Sequence, residues 1–313
     1  MKLDRLIAGY EPLLARLIDE SDGAMYRAFY LQPNPEVRLN VEQRKEFQRV
    51  YVIGILERSH LACTTFLARS HRWLRACGAA LESSNVLGFA ASLRGFLESA
   101  ADGFDVIGYL PETLKGSFEH LYALLYEAGQ RDAPAIIMKE LEDRLIHYAF
   151  ATRQPRIGPS MPNHTAKSQA DYIRDFERFG ASGAGDLYAD LCALTHPSSA
   201  SINCFLIEGD DHVSFTAQHD DTAIEIILHK YEECVTDIFQ YSLNSALVAL
   251  AYLSRLNADW IAPRDAEVNA IGRAASQLKQ VDAFIRSRAQ HRAVPASLQR
   301  LLHSILLSLG MEG

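Results

Sequence analysis

The stretch from Asn85 to Leu110 constrains the fold most, because it is too apolar for an ordinary surface helix yet carries four charged residues. Arg94, Glu98, Asp102 and Asp105 follow one another at steps of four, four and three residues. At about 100° of rotation per residue, this spacing places them on one narrow stripe of a helix. A helix that is apolar elsewhere belongs inside a bundle, with its charges facing a cavity, a partner charge or water.

The charged stripe has two interpretations that the sequence leaves open. If the neighbours Arg94 and Glu98 are exposed, their pairing contributes only about 0.3–0.5 kcal/mol. If they are buried, removing one partner costs about 3–5 kcal/mol, because an unpaired charge stays in a medium of low dielectric constant. The stripe is therefore either an internal ion-pair network that fixes the register of the helices or the wall of a ligand-binding or catalytic pocket.

Helical spacing of apolar residues continues through most of the chain. Asn40 and Ser168 are predicted to cap helices, and Pro111 can occupy the first turn of another. The period changes only at residues 202–207 and 213–217, two short apolar or β-branched runs on either side of Glu-Gly-Asp-Asp-His. This pattern predicts a β-hairpin, the one convincing strand signal in the chain.

We therefore predict an all-α fold, a multi-helix bundle with one small β-hairpin near residues 202–217. A single long helix is expected from Asp220 or Asp221 through Leu256, and a final pair of helices follows it. No linker or internal repeat divides the sequence, which favours one helical domain over residues 1–313. The alternative is that residues 262–313 form a separate C-terminal helical layer.

Charge and cysteine content limit the classes of function. The net charge of -8 disfavours a protein that grips nucleic acid through a broad basic face. Five widely spaced cysteines without a Cys-x-x-Cys pair fit a reducing cytoplasm. The N-terminal stretch predicts an amphipathic helix rather than a signal peptide, and the most apolar late run, Ser245 to Leu253, is too short to cross a bilayer. We expect a soluble cytoplasmic protein with no membrane contact.

The first candidate site combines the charged stripe with a later helix that ends at His196. His196 precedes Pro197, and a histidine at a helix C-terminus is well placed for a stabilised imidazolium or for hydrogen bonding into the bundle. A small ligand or a protein partner would bind here. The candidate ligand-binding residues are Arg94, Glu98, Asp102, Tyr188, His196 and Ser198.

The same two segments resemble uncharacterised bacterial helical families of unknown function. In those families an Arg-x-x-x-Glu helix, here Arg94 to Glu98, precedes a Tyr-x-x-Leu-Ser-x-x-x-His segment, here Tyr188 to His196 followed by Pro-Ser. The similarity extends over about residues 88–217, and Cys192 stands where the families have serine. The resemblance implies a helical fold and a pairing of the two segments, and it implies no established activity.

A second candidate site is Arg286-Ser-Arg-Ala-Gln-His291, near the predicted end of a helix. Its Arg-x-x-x-x-His spacing resembles the active-site motif of HEPN ribonucleases, although Ser287 stands where Asn, Asp or His commonly follows the arginine in that family. The resemblance implies catalytic roles for Arg286 and His291, which would orient and polarise an RNA phosphodiester without metal, usually across a homodimer. The other interpretation is a solvated basic helix surface.

A third candidate is a metal site. Glu57-x-x-His60 has the spacing of di-iron carboxylate proteins, with Glu98 and the Glu225-x-x-x-His229 pair as companions. A complete set needs a second Glu-x-x-His, which the sequence lacks. We therefore expect no metal or other cofactor and interpret these histidines as partly buried helix residues.

Together these features favour an interaction or ligand-sensing protein. Its association with stress or phage defence is implied by the family resemblance alone. The alternative function is a HEPN-like, metal-independent ribonuclease.

Overall fold

The computed structural model of the chain describes residues 2–26, 40–127, 135–151, 165–216, 218, 220–257, 259–271 and 273–289. Most of these residues are helical, and the predicted all-α multi-helix bundle with one small hairpin is confirmed. The helices are α1 Lys2–Ser21, α2 Val41–Glu82, α3 Val86–Ile107, α4 Leu110–Tyr126, α5 Lys139–Phe150, α6 Gln169–Arg178, α7 Ala184–Thr195, α8 Ser199–Asn203, α9 Asp220–Lys230, α10 Glu232–Leu256, α11 Asp265–Asn269 and α12 Arg273–Ala289.

Side-chain caps define where the two central helices begin. The Asn40 side chain accepts a hydrogen bond from the backbone N–H of Gln43, and the Gln43 side chain accepts one from the backbone N–H of Asn40. This capping box satisfies two N–H groups that have no partner within α2. Asn85 caps α3 in a similar way, because its side chain accepts from the N–H of Gly88 at 2.8 Å.

Small residues let α2 and α3 approach each other closely at the centre of the bundle. A Cβ atom added at Gly103 would lie 2.3 Å from the ring of Phe66, and one added at Gly95 would lie 2.7 Å from the indole of Trp73. Helix α3 also packs against α6, α7 and α10, which accounts for the burial of most of its circumference. Most apolar residues of the Asn85 to Leu110 stretch are therefore core, as its composition predicted, while Leu87 is exposed.

The single helix predicted from residue 220 to 256 is wrong, because the chain breaks at Tyr231 between α9 and α10. Tyr231 leaves the helical conformation, with φ −116° and ψ 23°. Its side chain is buried, and its hydroxyl donates to Asp190 Oδ2 of α7 at 2.6 Å. This tertiary hydrogen bond accompanies a break that apolar spacing on either side did not indicate.

The hairpin is shorter than predicted. Strands β1, Leu206–Glu208, and β2, Val213–Phe215, pair antiparallel with Leu206 opposite Phe215. Residues 202–203, assigned to the first strand from their apolar pattern, instead complete α8. A serine capping box at Ser198 and Ser201 begins that short helix, since such side chains satisfy the first N–H groups of a helix.

Helices α11 and α12 pack on α10 at the C-terminal side of the described chain. Arg255 of α10 binds Asp282 of α12 at 2.7 Å and Asp265 of α11 at 3.2 Å. The Phe284 ring packs edge-on against Phe118 of α4. The predicted last helix, within residues 290–313, lies outside the described residues. Within the described residues, no helix is long and apolar enough to cross a membrane.

Candidate functional site

Arg94 of α3 reaches the C-terminal end of α7. Its Nη1 donates to Thr195 Oγ1 at 2.6 Å and lies 3.3 Å from Nε2 of His196. Thr195 Oγ1 also donates to the Leu191 carbonyl of the preceding turn, which fixes the hydroxyl. His196 is extended, with φ −101° and ψ 155°, because a residue before proline is disfavoured in the helical conformation.

Glu98 and Tyr188 extend this contact by one helical turn. Glu98 Oε1 lies 3.6 Å from Arg94 Nε and accepts a hydrogen bond from the Tyr188 hydroxyl at 3.2 Å. The Arg94 and Glu98 side chains are 26% and 28% exposed, so the pair is neither fully buried nor free in water. We call Arg94, Glu98, Tyr188, Thr195 and His196 the α3–α7 cluster.

The contact between Arg94 and His196 joins a guanidinium to an imidazole nitrogen. A guanidinium carries only donors, so His196 Nε2 is the acceptor of a hydrogen bond at 3.3 Å. An oxygen anion bound beside the two side chains would accept from the Arg94 guanidinium.

Tyr188 is held as a hydrogen-bond donor. Burial raises its pKa to about 12, and the hydrogen bond with Cys192 and the negative charge of Glu98 act in the same direction. At neutral pH the phenol is therefore protonated and donates to Glu98. Cys192 lies within this contact, hydrogen-bonded to Tyr188.

The other predicted ligand-binding residues have different partners. Asp102 accepts from Arg69 of α2 at 2.7 Å. The Ser198 hydroxyl donates to the Ala193 carbonyl of α7. Asp105, at the end of the stripe, pairs with Lys167 at 2.8 Å. The residues of the stripe therefore pair with different parts of the molecule, and only the Arg94–Glu98 part faces Tyr188 and His196.

Thr195 is the member of the cluster that the sequence did not single out. It lies one residue before His196, at a helix end where threonine has no special meaning on its own. Its position inside the Tyr188 to His196 segment could have pointed to it. Thr195 lies one turn after Leu191, and at this spacing a threonine hydroxyl can donate to the carbonyl of the preceding turn.

The arginine of the ribonuclease motif, Arg286, is exposed near the end of α12. This helix packs on α10 and α11, whereas the α3–α7 cluster belongs to a different pair of helices. His291 lies outside the described residues, so the distance between the two motif residues is not part of the structure.

His60, the histidine of the proposed metal motif, is buried with both ring nitrogens engaged. Nε2 faces the Ile261 carbonyl at 3.2 Å and must carry the proton, because a carbonyl only accepts. Nδ1 then accepts from the Tyr26 hydroxyl at 2.6 Å, and Trp260 stacks on the ring. Burial lowers the His60 pKa to about 4. No lone pair is left on His60 for a metal ion, and the described residues hold no group of three metal-ligating side chains.

Three clefts of the described chain lie away from the α3–α7 cluster. One of 530 Å³ is lined by charged residues around Asp105, Arg144 and Lys167. Two others, of 830 and 350 Å³, follow α1 and α9. The α3–α7 cluster is thus a surface seam between helices rather than the wall of one of these clefts.

Comparison of the chain with protein families, with curated proteins and with solved structures gives no match. The two resemblances noted in the sequence therefore stay predictions.

Proposed function

We propose that the chain is a ligand-sensing interaction protein whose α3–α7 cluster binds an anion, such as the carboxylate or phosphate group of a small molecule. The observation that carries this proposal is the 3.3 Å approach of Arg94 to His196 at a partly exposed seam. Two nitrogen-rich side chains are held side by side where an incoming oxygen anion can contact both.

The seam is preorganised for such a ligand. Thr195 fixes the Nη1 edge of Arg94 from one side, and Glu98 approaches its Nε edge from the other. A guanidinium whose position is already set loses little side-chain entropy on binding, which favours affinity for planar oxygen anions. Glu98 also accepts a hydrogen bond from Tyr188, so its negative charge interacts with two side chains rather than with Arg94 alone.

Isothermal titration calorimetry with inorganic phosphate and with acetate tests the proposal. Arg94→Ala should weaken binding by about tenfold or more, because a charge-assisted contact contributes about 1.5–3 kcal/mol. Arg174→Ala is the matched control, since Arg174 is an exposed arginine on α6 paired with Asp171. Absence of binding by both anions, or equal losses in the two variants, would overturn the proposal.

His196→Ala tests the second side chain of the site. We expect this variant to bind phosphate and acetate more weakly than wild type, because one of the two side chains beside the anion is lost. An affinity equal to that of wild type would contradict the role given to His196 while leaving that of Arg94 to the calorimetry above.

The ribonuclease function remains the alternative, and the exposure of Arg286 on α12 is what favours it, because its guanidinium is accessible to RNA. This alternative predicts that the intact chain cleaves RNA without metal and that Arg286→Ala and His291→Ala abolish cleavage while the chain stays folded. Wild-type protein that is inactive on RNA would exclude it. The family resemblance alone implies a cellular role in stress or phage defence, and we propose this role for the ligand-sensing protein.

A further inference from the structure

Helix α9 leaves an open groove beside α1 and α2. It packs against α3 and α10, and between it and the other two helices lies a cleft of 830 Å³. We call this cleft the α1–α2–α9 groove. A second cleft of 350 Å³ also lies along α1 and α9 and shares Glu225 with the first.

The floor of the groove is apolar. Leu74 of α2 and Ile224 of α9 are buried beneath it, and Ile7 of α1 lies partly exposed along it. The second cleft has the same character, with Leu3 and Leu228 in its lining. Apolar surface that is concave and open to water favours an occupant that brings its own apolar side chains.

The walls of the groove are acidic. One arginine, Arg75, stands among its lining residues, and the carboxylates outnumber it. They come from all three helices and are Asp4, Glu11, Glu82, Asp221 and Glu225. Carboxylates around an apolar floor attract a partner with Lys or Arg beside its apolar side chains and repel an acidic one.

We propose that the α1–α2–α9 groove binds a basic amphipathic helix of a partner protein. Along α1 the lining residues run from Asp4 to Glu11, which is about 11 Å at 1.5 Å per residue. This length matches two turns of a bound helix, enough for anchors at positions i, i+3 or i+4 and i+7. The apolar anchors enter the floor, and basic residues on either side of them meet the acidic walls.

Gly78 provides a way to close the groove without disturbing the core. It lies in the lining on α2, and a Cβ atom added there meets nothing within 4 Å. A phenylalanine at this position would occupy space that the partner helix needs. Gly116 of α4 is the matched control, because it also has open space around an added Cβ and lies outside the groove.

Fluorescence anisotropy with a labelled synthetic amphipathic helix of leucine and lysine measures the interaction. We expect saturable binding to wild-type protein that Gly78→Phe weakens by about tenfold or more and Gly116→Phe leaves unchanged. A leucine–glutamate helix of the same pattern should bind far more weakly. No binding of the leucine–lysine helix, or equal affinities of the two glycine variants, would overturn the proposal.

Charge reversal tests the acidic walls separately. Glu225→Lys should weaken the leucine–lysine helix several-fold, whereas Glu119→Lys, which reverses an exposed carboxylate on α4, should have little effect. Equal effects would show nonspecific attraction to an acidic protein and would overturn the proposal. Sedimentation of the peptide-free chain adds another outcome: a dimer lost in Gly78→Phe but kept in Gly116→Phe would assign the groove to a second copy instead.

Discussion

Two histidines show how differently the chain uses the inside and the edge of its bundle. His60 of α2 is 2% exposed and sits between Tyr26 and Trp260, with both ring nitrogens hydrogen-bonded. His196 is exposed at the end of α7, where a charged side chain, Arg94, is its partner. The interior histidine is locked as a neutral structural group, whereas the histidine at the edge stays accessible to a ligand.

The two surroundings of α3 differ in the same way. On the side of α2, the ring of Phe66 occupies the place where a Cβ of residue 103 would be, so the two helices are closely packed there. On the side of α7, the contacts are hydrogen bonds between partly exposed side chains, as for Arg94 and Thr195. Contacts of the second kind can exchange partners with a ligand, and contacts of the first kind cannot.

The largest effect on the stability of the chain is expected when the pH is lowered, and it comes from His60. Its pKa is about 4 in the folded chain and 6.5 when unperturbed. Between these values the unfolded chain binds a proton that the folded chain does not, so stability falls as pH falls. The loss from this group is about 2 kcal/mol at pH 5 and about 3 kcal/mol at pH 4. Urea unfolding at pH 7, 5 and 4 measures it.

His60→Phe isolates this contribution from that of the carboxylates. The variant loses the hydrogen bonds to Tyr26 and Ile261, so its stability at pH 7 is lower. Its stability should nevertheless depend less steeply on pH than that of wild type. Parallel pH dependences would contradict the neutral, buried state of His60.

A smaller effect is expected from Gly103→Ala, which places a methyl group against Phe66. Overpacking of this kind costs about 1–3 kcal/mol. Gly78→Ala is the control on the neighbouring helix, since its Cβ meets nothing and the change should stabilise α2 by about 0.5–1 kcal/mol. The midpoint of urea unfolding should therefore fall for Gly103→Ala and rise for Gly78→Ala. Equal shifts would show that the α2–α3 contact has room to relax.

Local signals explain why the helices could be predicted from the sequence. Asn40, Asn85 and Ser168 begin helices because a short polar side chain satisfies backbone N–H groups two or three residues ahead. That chemistry is complete within four residues, so no knowledge of the fold is required. Apolar spacing likewise identified the buried sides of α2 and α3.

Tertiary contacts determine the features of the structure that could not be predicted from the sequence. The break at Tyr231 coincides with a hydrogen bond to Asp190, which lies 41 residues earlier. Helical spacing placed Asp102 beside Arg94 and Glu98 but carried no information on which neighbouring helix covers each turn of the stripe. Arg69 approaches Asp102 from α2, whereas Tyr188 approaches Glu98 from α7. The candidate site therefore includes Arg94 and Glu98 but not the whole charged stripe.

At the edge of the bundle, Arg94→Ala should cost little stability, less than about 1 kcal/mol, because its ion pair with Glu98 is partly exposed. The loss of anion affinity expected for the same variant is larger than its loss of stability. Urea unfolding and calorimetry on one preparation compare the two. A loss of several kcal/mol in stability would instead make Arg94 a structural residue, like Phe66 on the opposite side of α3.

The smallest effect concerns the ionisation of Tyr188. Burial is the main cause of its pKa of about 12, and the charge of Glu98 adds less. Glu98→Gln should therefore lower the pKa only part of the way toward 10. Alkaline difference absorbance of each protein against its own Tyr188→Phe variant isolates this phenol. A Tyr188 pKa of 10 in Glu98→Gln would contradict this prediction, because it would mean that the charge of Glu98, and not burial, is the main cause of the raised pKa.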